Sequence, residues 1–130
     1  MKIQGIHHVA IICSDYQKSK SFYTDIIGFE VMAEVYREER ASYKLDLSLN
    51  GSYSIELFSF PDPPKRVSRP EASGLRHIAF SVTDIQSAYE ELVENEVQAE
   101  PIRIDEFTNK RFFFIFDPDG LPIEFYESAQ

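Results

Sequence analysis

The chain has 130 residues, 43% of them hydrophobic and 14% aromatic, which fits one folded domain with a buried core and not a disordered segment. Acidic residues outnumber basic ones by 22 to 13, giving a formal charge of −9, and with no long basic run this excludes nucleic acid as the main partner. The single cysteine, Cys13, excludes an intrachain disulfide framework. No apolar run reaches the ~18 residues of a membrane-spanning helix. The opening MKIQGIHHV has no signal-peptide core, so the expected location is the cytoplasm, away from membranes.

The first element is written twice. GIHHVAIICSDYQ, residues 5–17, aligns with GLRHIAFSVTDIQ, residues 74–86, with Gly, His, Ala, Asp and Gln recurring at one constant offset. Each copy opens with a two-residue alternation that predicts a strand, and continues with SDYQ or TDIQ, which matches a capping box with Ser14 or Thr83 as the cap. The helix that follows in the first copy has an apolar stripe of Ser19, Phe22, Tyr23, Ile26 and Ile27 and a stop at Gly28. In the second copy the stripe is Ile85, Ala88, Leu92 and Val93, with no equivalent glycine.

Three strands are predicted after the first helix, over residues 29–36, 43–50 and 53–60, the last two joined by Asn50-Gly51, a hairpin signal. The second copy offers strands over 98–105, 111–117 and 122–127, with DPDG as the last turn. The chain therefore reads as α+β, with two tandem βαβββ modules: module one about 1–60, a Pro-rich linker over 61–73, and module two about 74–130. A linker of this length suffices either to fold module two back or to carry it to a partner chain.

Two carboxylates break otherwise apolar strands. Glu56 stands between Ile55 and Leu57, and Glu124 between Ile123 and Phe125, at equivalent places in the repeat. A charge in a core needs a cation, a partner or solvent. Alternation turns Glu56 and Glu124 away from their apolar neighbours. It places His8 with Ala10 and Ile12, and His77 with Ala79 and Ser81, on faces lined partly by small residues. Two imidazoles and two carboxylates are suitable ligands for a divalent ion of the Zn, Ni, Co, Fe or Mn class. His7 aligns with Arg76 and is assigned to the other face, as a structural residue.

Paired βαβββ modules carrying HHVAI, IEL, RHIAFSV and DPDG followed by IE resemble the vicinal oxygen chelate superfamily, in its glyoxalase I-like branch, over nearly the whole chain. The resemblance implies an open, cupped eight-stranded mixed sheet around one metal, with His8, Glu56, His77 and Glu124 as ligands. The four-ligand set implies a lyase or isomerase of glyoxalase I type, acting on a small substrate with vicinal oxygens such as a hemithioacetal. The mechanism implied is proton abstraction by Glu124, with Glu56 as its counterpart, through an enediolate stabilised by the metal. It also implies Ni, Co or Zn as the ion and a homodimer. Alternatives are an epimerase of the methylmalonyl-CoA type, which typically has Gln at position 56, and a non-catalytic small-ligand-binding protein.

Glutathione-using members carry Arg and Asn where this chain has Ile12 and Phe60, so the resemblance does not extend to glutathione. The substrate pocket is expected to be aromatic, drawing on Phe58, Phe60, Phe114, Phe116 and Tyr126. Arg103, on a strand among apolar neighbours, is the candidate contact for a substrate carboxylate or phosphate. Arg37, Arg40, Lys65, Arg66, Arg69, Arg76, Lys110 and Arg111 are further candidate anion contacts, of which most are read as solvated surface.

Overall fold

The computed structural model describes residues 1–128, so the last two residues assigned to module two lie outside the described residues. The described chain forms two compact units, 1–65 and 66–128, each with its own four-stranded mixed sheet.

In the first unit, β1 (Val9–Cys13) leads into α1 (Tyr16–Ser21), which continues through a π-helical turn over Phe22–Ile26. Then come β2 (Glu30–Arg37), a short 3-10 turn at Glu38–Arg40, β3 (Ser42–Leu49) and β4 (Ser52–Ser59). The sheet order is β1-β4-β3-β2, with β1 parallel to β4 and the other pairs antiparallel. The second unit repeats this plan with β5 (Ile78–Val82), α2 (Ile85–Glu94), β6 (Arg103–Asp105), β7 (Lys110–Phe116) and β8 (Pro122–Glu127), in the order β5-β8-β7-β6. The parallel pair in each unit is joined by a long crossover, as parallel pairing requires.

Local chemistry explains most boundaries. Asn50 and Gly51 both have positive φ, 51° and 81°, which the tight β3–β4 hairpin needs. Gly28, at φ 98°, follows the π turn and ends the first helix as expected. The DPDG turn is held by Asp117, whose buried Oδ1 accepts from the backbone N–H of Asp119 and of Leu121, both at 2.9 Å.

Three expectations need correction. The helix caps are not Ser14 and Thr83 but the next residues: Asp15 accepts from the Lys18 N–H, and Asp84 from the Ser87 N–H. A carboxylate one residue closer to the first turn meets the same orphan donors and outcompetes the hydroxyl. Val93 is exposed and not part of the buried stripe of α2. The strand expected over 98–105 shrinks to Arg103–Asp105, because Pro101 has no N–H for the ladder and only the Glu100 N–H reaches the Phe114 carbonyl.

The core of each unit lies on one face of its sheet, beneath the helix. Leu45, Leu47, Ile55 and Leu57 are buried in the first unit, and Phe113, Ile115, Ile123 and Phe125 in the second. In the first, Glu34 on β2 ties the helix to the sheet edge, accepting from the Tyr16 hydroxyl and from Lys20 Nζ at 2.7 Å. The hydrogen bonds from Lys20 and Tyr16 outweigh desolvation and hold the Glu34 carboxyl below its ordinary range. No helix among the described residues is long and apolar enough to cross a membrane.

Two outcomes follow from this packing. Leu57→Ala removes a fully buried side chain and is expected to cost about 2–5 kcal/mol in denaturant unfolding. Because the folded value of Glu34 lies below the unfolded value of about 4.3, its contribution is present above that pH and is lost as pH falls through the folded value. Glu34→Gln should therefore flatten the acid limb of the stability–pH curve without changing the slope near neutrality, as read from urea unfolding at a series of pH values.

Candidate functional site

Strand alternation accounts for the two carboxylates. While Ile55, Leu57, Ile123 and Phe125 face the cores, Glu56 and Glu124 face outward with 16% and 15% of their side chains exposed. Each lies beside a small residue on the parallel neighbour, Glu56 opposite Ala10 and Glu124 opposite Ala79, which leaves room above the sheet. His8 and His77 sit one residue before β1 and β5.

In both units the imidazole faces the carboxylate at nearly the same distance. His8 Nε2 is 3.7 Å from Glu56 Oε1, and His77 Nε2 is 3.6 Å from Glu124 Oε1. These separations are too long for hydrogen bonds. They are close to the roughly 3.4 Å between two ligands of a tetrahedral ion with bonds near 2.1 Å, so the pairs fit a metal's donors. Each pair supplies only two donors, and among the described residues no group of three or more His, Cys, Asp and Glu side chains is gathered in a metal-binding cluster.

In the first unit, Glu56 is embedded in a polar network. The Tyr53 hydroxyl shares its one proton between Asp46 Oδ1, at 2.8 Å, and Glu56 Oε2, at 3.1 Å. Lys44 Nζ donates to both Asp46 oxygens at 2.9 Å and lies 3.4 Å from Glu56 Oε2. Burial and these two carboxylates push the Tyr53 phenol well above its ordinary value. Asp46 is the reverse case: burial acts to raise its carboxyl, but Lys44 and Tyr53 outweigh it and hold the group low. The Tyr53 ring also stacks on His8, 5.0 Å between centroids and 10° from parallel.

His7 is not turned away as a residue on the opposite face would be. Its Nδ1 lies 2.7 Å from His8 Nδ1, and its ring meets Tyr53 edge-on. Both histidines precede β1, so strand alternation does not govern them. In the tautomer in which His8 Nδ1–H donates to His7, the His8 Nε2 lone pair is left for a cation.

The second unit has a cavity of about 740 Å³ where the first has a charge network. His77 and Glu124 line it, together with Phe112, Phe114, Phe116 and Tyr126 from the same face of the sheet. The register shows the divergence of the repeat. Asp46 lies opposite Glu56 and Phe114 opposite Glu124; two residues along, Lys44 corresponds to Phe112. His77 stands edge-on to Phe114, and its Nδ1 is buried without a hydrogen-bond partner among the described residues.

The expected pocket residues divide between the units. Arg103, Phe114, Phe116 and Tyr126 line the cavity with His77 and Glu124. Phe58 and Phe60 lie in the first unit, where Arg37 sits over both rings at 4.7 and 5.6 Å from their centroids. Arg37 is thus a packed residue and not a solvated one, and it also donates to Ser42 Oγ at 2.7 Å. Sequence reasoning missed Lys44, Asp46 and Tyr53. Their signal was present: two opposite charges alternate with Leu45 and Leu47 on the strand preceding Glu56.

Residues 5–125 match the family model of the glyoxalase/bleomycin resistance protein/dioxygenase superfamily. The chain is 65% identical over 127 residues to the Bacillus subtilis protein YwkD, covering 98% of this chain and 99% of that one; its name assigns no activity. The solved structure of a glyoxalase family protein from Enterococcus faecalis superposes with a TM-score of 0.91 at 47% identity, covering 98% of this chain and 100% of that one. A more distant relative, the metallothiol transferase FosB of Staphylococcus haemolyticus, is 29% identical over 98% of this chain and 86% of its own.

The network around Glu56 generates a double-mutant test. Lys44→Met leaves Asp46 a partly buried carboxylate with only Tyr53 to satisfy it, and is expected to cost about 1–3 kcal/mol. Adding Asp46→Leu, which places apolar groups at both positions as in the second unit, should recover most of that loss in chemical denaturation.

Proposed function

The chain belongs to the glyoxalase/bleomycin resistance protein/dioxygenase superfamily, and on that footing we propose that it is a cytoplasmic, divalent-metal-dependent lyase or isomerase of glyoxalase I type. The substrate class is a small molecule with vicinal oxygens, such as a hemithioacetal formed with a thiol other than glutathione. The observation that carries this reading is the recurrence of one His–Glu pair, at 3.6–3.7 Å, in each half of a repeated fold.

His8, Glu56, His77 and Glu124 are the residues that would hold one ion, of the Ni, Co or Zn type. When bound, the ion supplies positive charge that acidifies a C–H flanked by oxygens and offsets the oxyanion that develops. The two carboxylates have different surroundings. Glu56 has one oxygen engaged by Tyr53 and approached by Lys44, which suits a fixed ligand. Glu124 faces a cavity and has no hydrogen bond among the described residues, which suits a base that takes the substrate proton and returns it to the neighbouring carbon. Phe112, Phe114 and Phe116 would exclude water from that transfer.

The reading includes a homodimer, with each ion site completed either within one chain or by exchange of halves. Mixing a His8→Ala chain with a Glu124→Ala chain separates these: recovered turnover requires a site shared between chains.

The direct test is turnover of a panel of hemithioacetals by protein reconstituted with Ni, Co or Zn. Glu124→Gln is expected to lose about 10²–10⁴-fold in rate, as removal of a general base does, and chelation should abolish turnover reversibly. Wild-type turnover by Glu124→Gln, or turnover that survives chelation, would contradict the proposal. Inversion at a thioester α-carbon, with the same dependence on Glu124, would instead assign an epimerase.

A further inference from the structure

The cavity of the second unit carries more than a reaction centre. Its wall contains four arginines, Arg66, Arg69, Arg76 and Arg103, against four carboxylates, Glu71, Glu100, Asp105 and Glu124. A neutral wall stands out in a chain of net charge −9, since four of its 13 basic residues are gathered there.

These arginines are not equivalent. Arg66 is spent on the fold, donating to the Leu75 and Arg76 carbonyls at 2.8 Å and to Ser68 Oγ at 2.9 Å. Arg76 is paired with Glu71 at 2.9 Å. Arg103 is different. Its only ion pair among the described residues is a long contact with Glu100, 3.6 Å, in which both side chains are about half exposed. Its guanidinium lies over the rings of Phe112 and Phe114, 5.0 and 5.9 Å from their centroids. Arg69 lines the same cavity and makes no hydrogen bond or salt bridge among the described residues, though it is close enough to Glu71 to help Arg76 lower that carboxyl.

Cation–π contact with two rings that stand perpendicular to each other confines the guanidinium to the cavity wall while leaving N–H groups available. A guanidinium confined in this way and not engaged in a close ion pair suits recognition of a carboxylate or phosphate. The aromatic floor is itself a departure from the repeat, because the equivalent places in the first unit carry Lys44 and Asp46. A carboxylate at position 114, as Asp46 is in the first unit, would lie under Arg103 and compete for it.

We propose that this cavity binds an organic oxyanion with an apolar body, the body on Phe112, Phe114 and Phe116 and the anionic group on Arg103, with Arg69 as the second cation. This rests on the reading of His77 and Glu124 as reaction-centre residues only in calling the ligand a substrate; the binding itself needs no metal. The site would therefore select, from among molecules with vicinal oxygens, those that also carry a carboxylate, phosphonate or phosphate.

The test uses the full chain freed of metal by chelator, titrated with phenylphosphonate, benzoate and uncharged benzyl alcohol by heteronuclear NMR. Saturable binding of one or both anions, with shifts at Phe112 and Phe114 and weaker binding of the alcohol, is the expected result; the anion that binds tighter identifies the head group. Arg103→Ala should weaken that anion tenfold or more and Arg69→Ala by a smaller factor. Arg103→Lys, which keeps the charge but not the planar edge, should fall between wild type and alanine. Arg111→Ala removes the same charge outside the cavity and should bind as wild type. Equal affinity of wild type and Arg103→Ala, equal binding of the alcohol, or no saturation by either anion would overturn the proposal. Since metal is absent throughout, none of these outcomes depends on whether the chain is a metalloenzyme.

Discussion

The whole site hangs on the two-residue alternation of the last strand in each unit. β4 and β8 must bury Ile55, Leu57, Ile123 and Phe125 to hold their sheets to the helices, and that requirement turns Glu56 and Glu124 to the other face. A one-residue slip would expose the core and bury the charges, so the same constraint that stabilises the fold fixes the carboxylates. The parallel neighbours contribute Ala10 and Ala79 at the facing positions, and their small size leaves an imidazole space to approach.

Duplication then supplied two copies of one arrangement, and the copies have diverged in what surrounds it. The first unit carries charge: Lys44, Asp46 and Tyr53 bind each other and reach Glu56, fixing it at one oxygen. The second has rings in place of those charges and a cavity beside Glu124. A network that immobilises a carboxylate and a cavity that admits a molecule next to one are different tools. The division fits an enzyme in which one carboxylate holds and the other moves a proton.

Much of this was legible in the sequence, for physical reasons. Strand alternation, the Asn50-Gly51 hairpin and the repeated His and Glu are local or periodic signals, and each reappears in the fold. The helix caps are ambiguous by one residue in the sequence because Ser14-Asp15 and Thr83-Asp84 both offer a cap, and only the backbone shows which oxygen meets the N–H groups. The strand around Pro101 is shorter than its sequence suggests because Pro101 has no donor for the ladder. The side on which His7 lies is not legible from alternation, because the strand begins only at Val9. The Lys44–Asp46–Tyr53 network depends on register between strands, which a single strand's pattern does not carry.

The measurement that bears most directly on the account is the stoichiometry of metal binding by calorimetric titration of Ni, Co and Zn into chelator-treated protein. Wild type, His8→Ala and His77→Ala would be titrated in parallel. The account predicts one ion per chain in wild type, with affinity falling by orders of magnitude in both variants, as the proposal that both His–Glu pairs hold one ion requires. Two independent weak sites per chain, each lost in only one variant, or no binding by wild type, would contradict it.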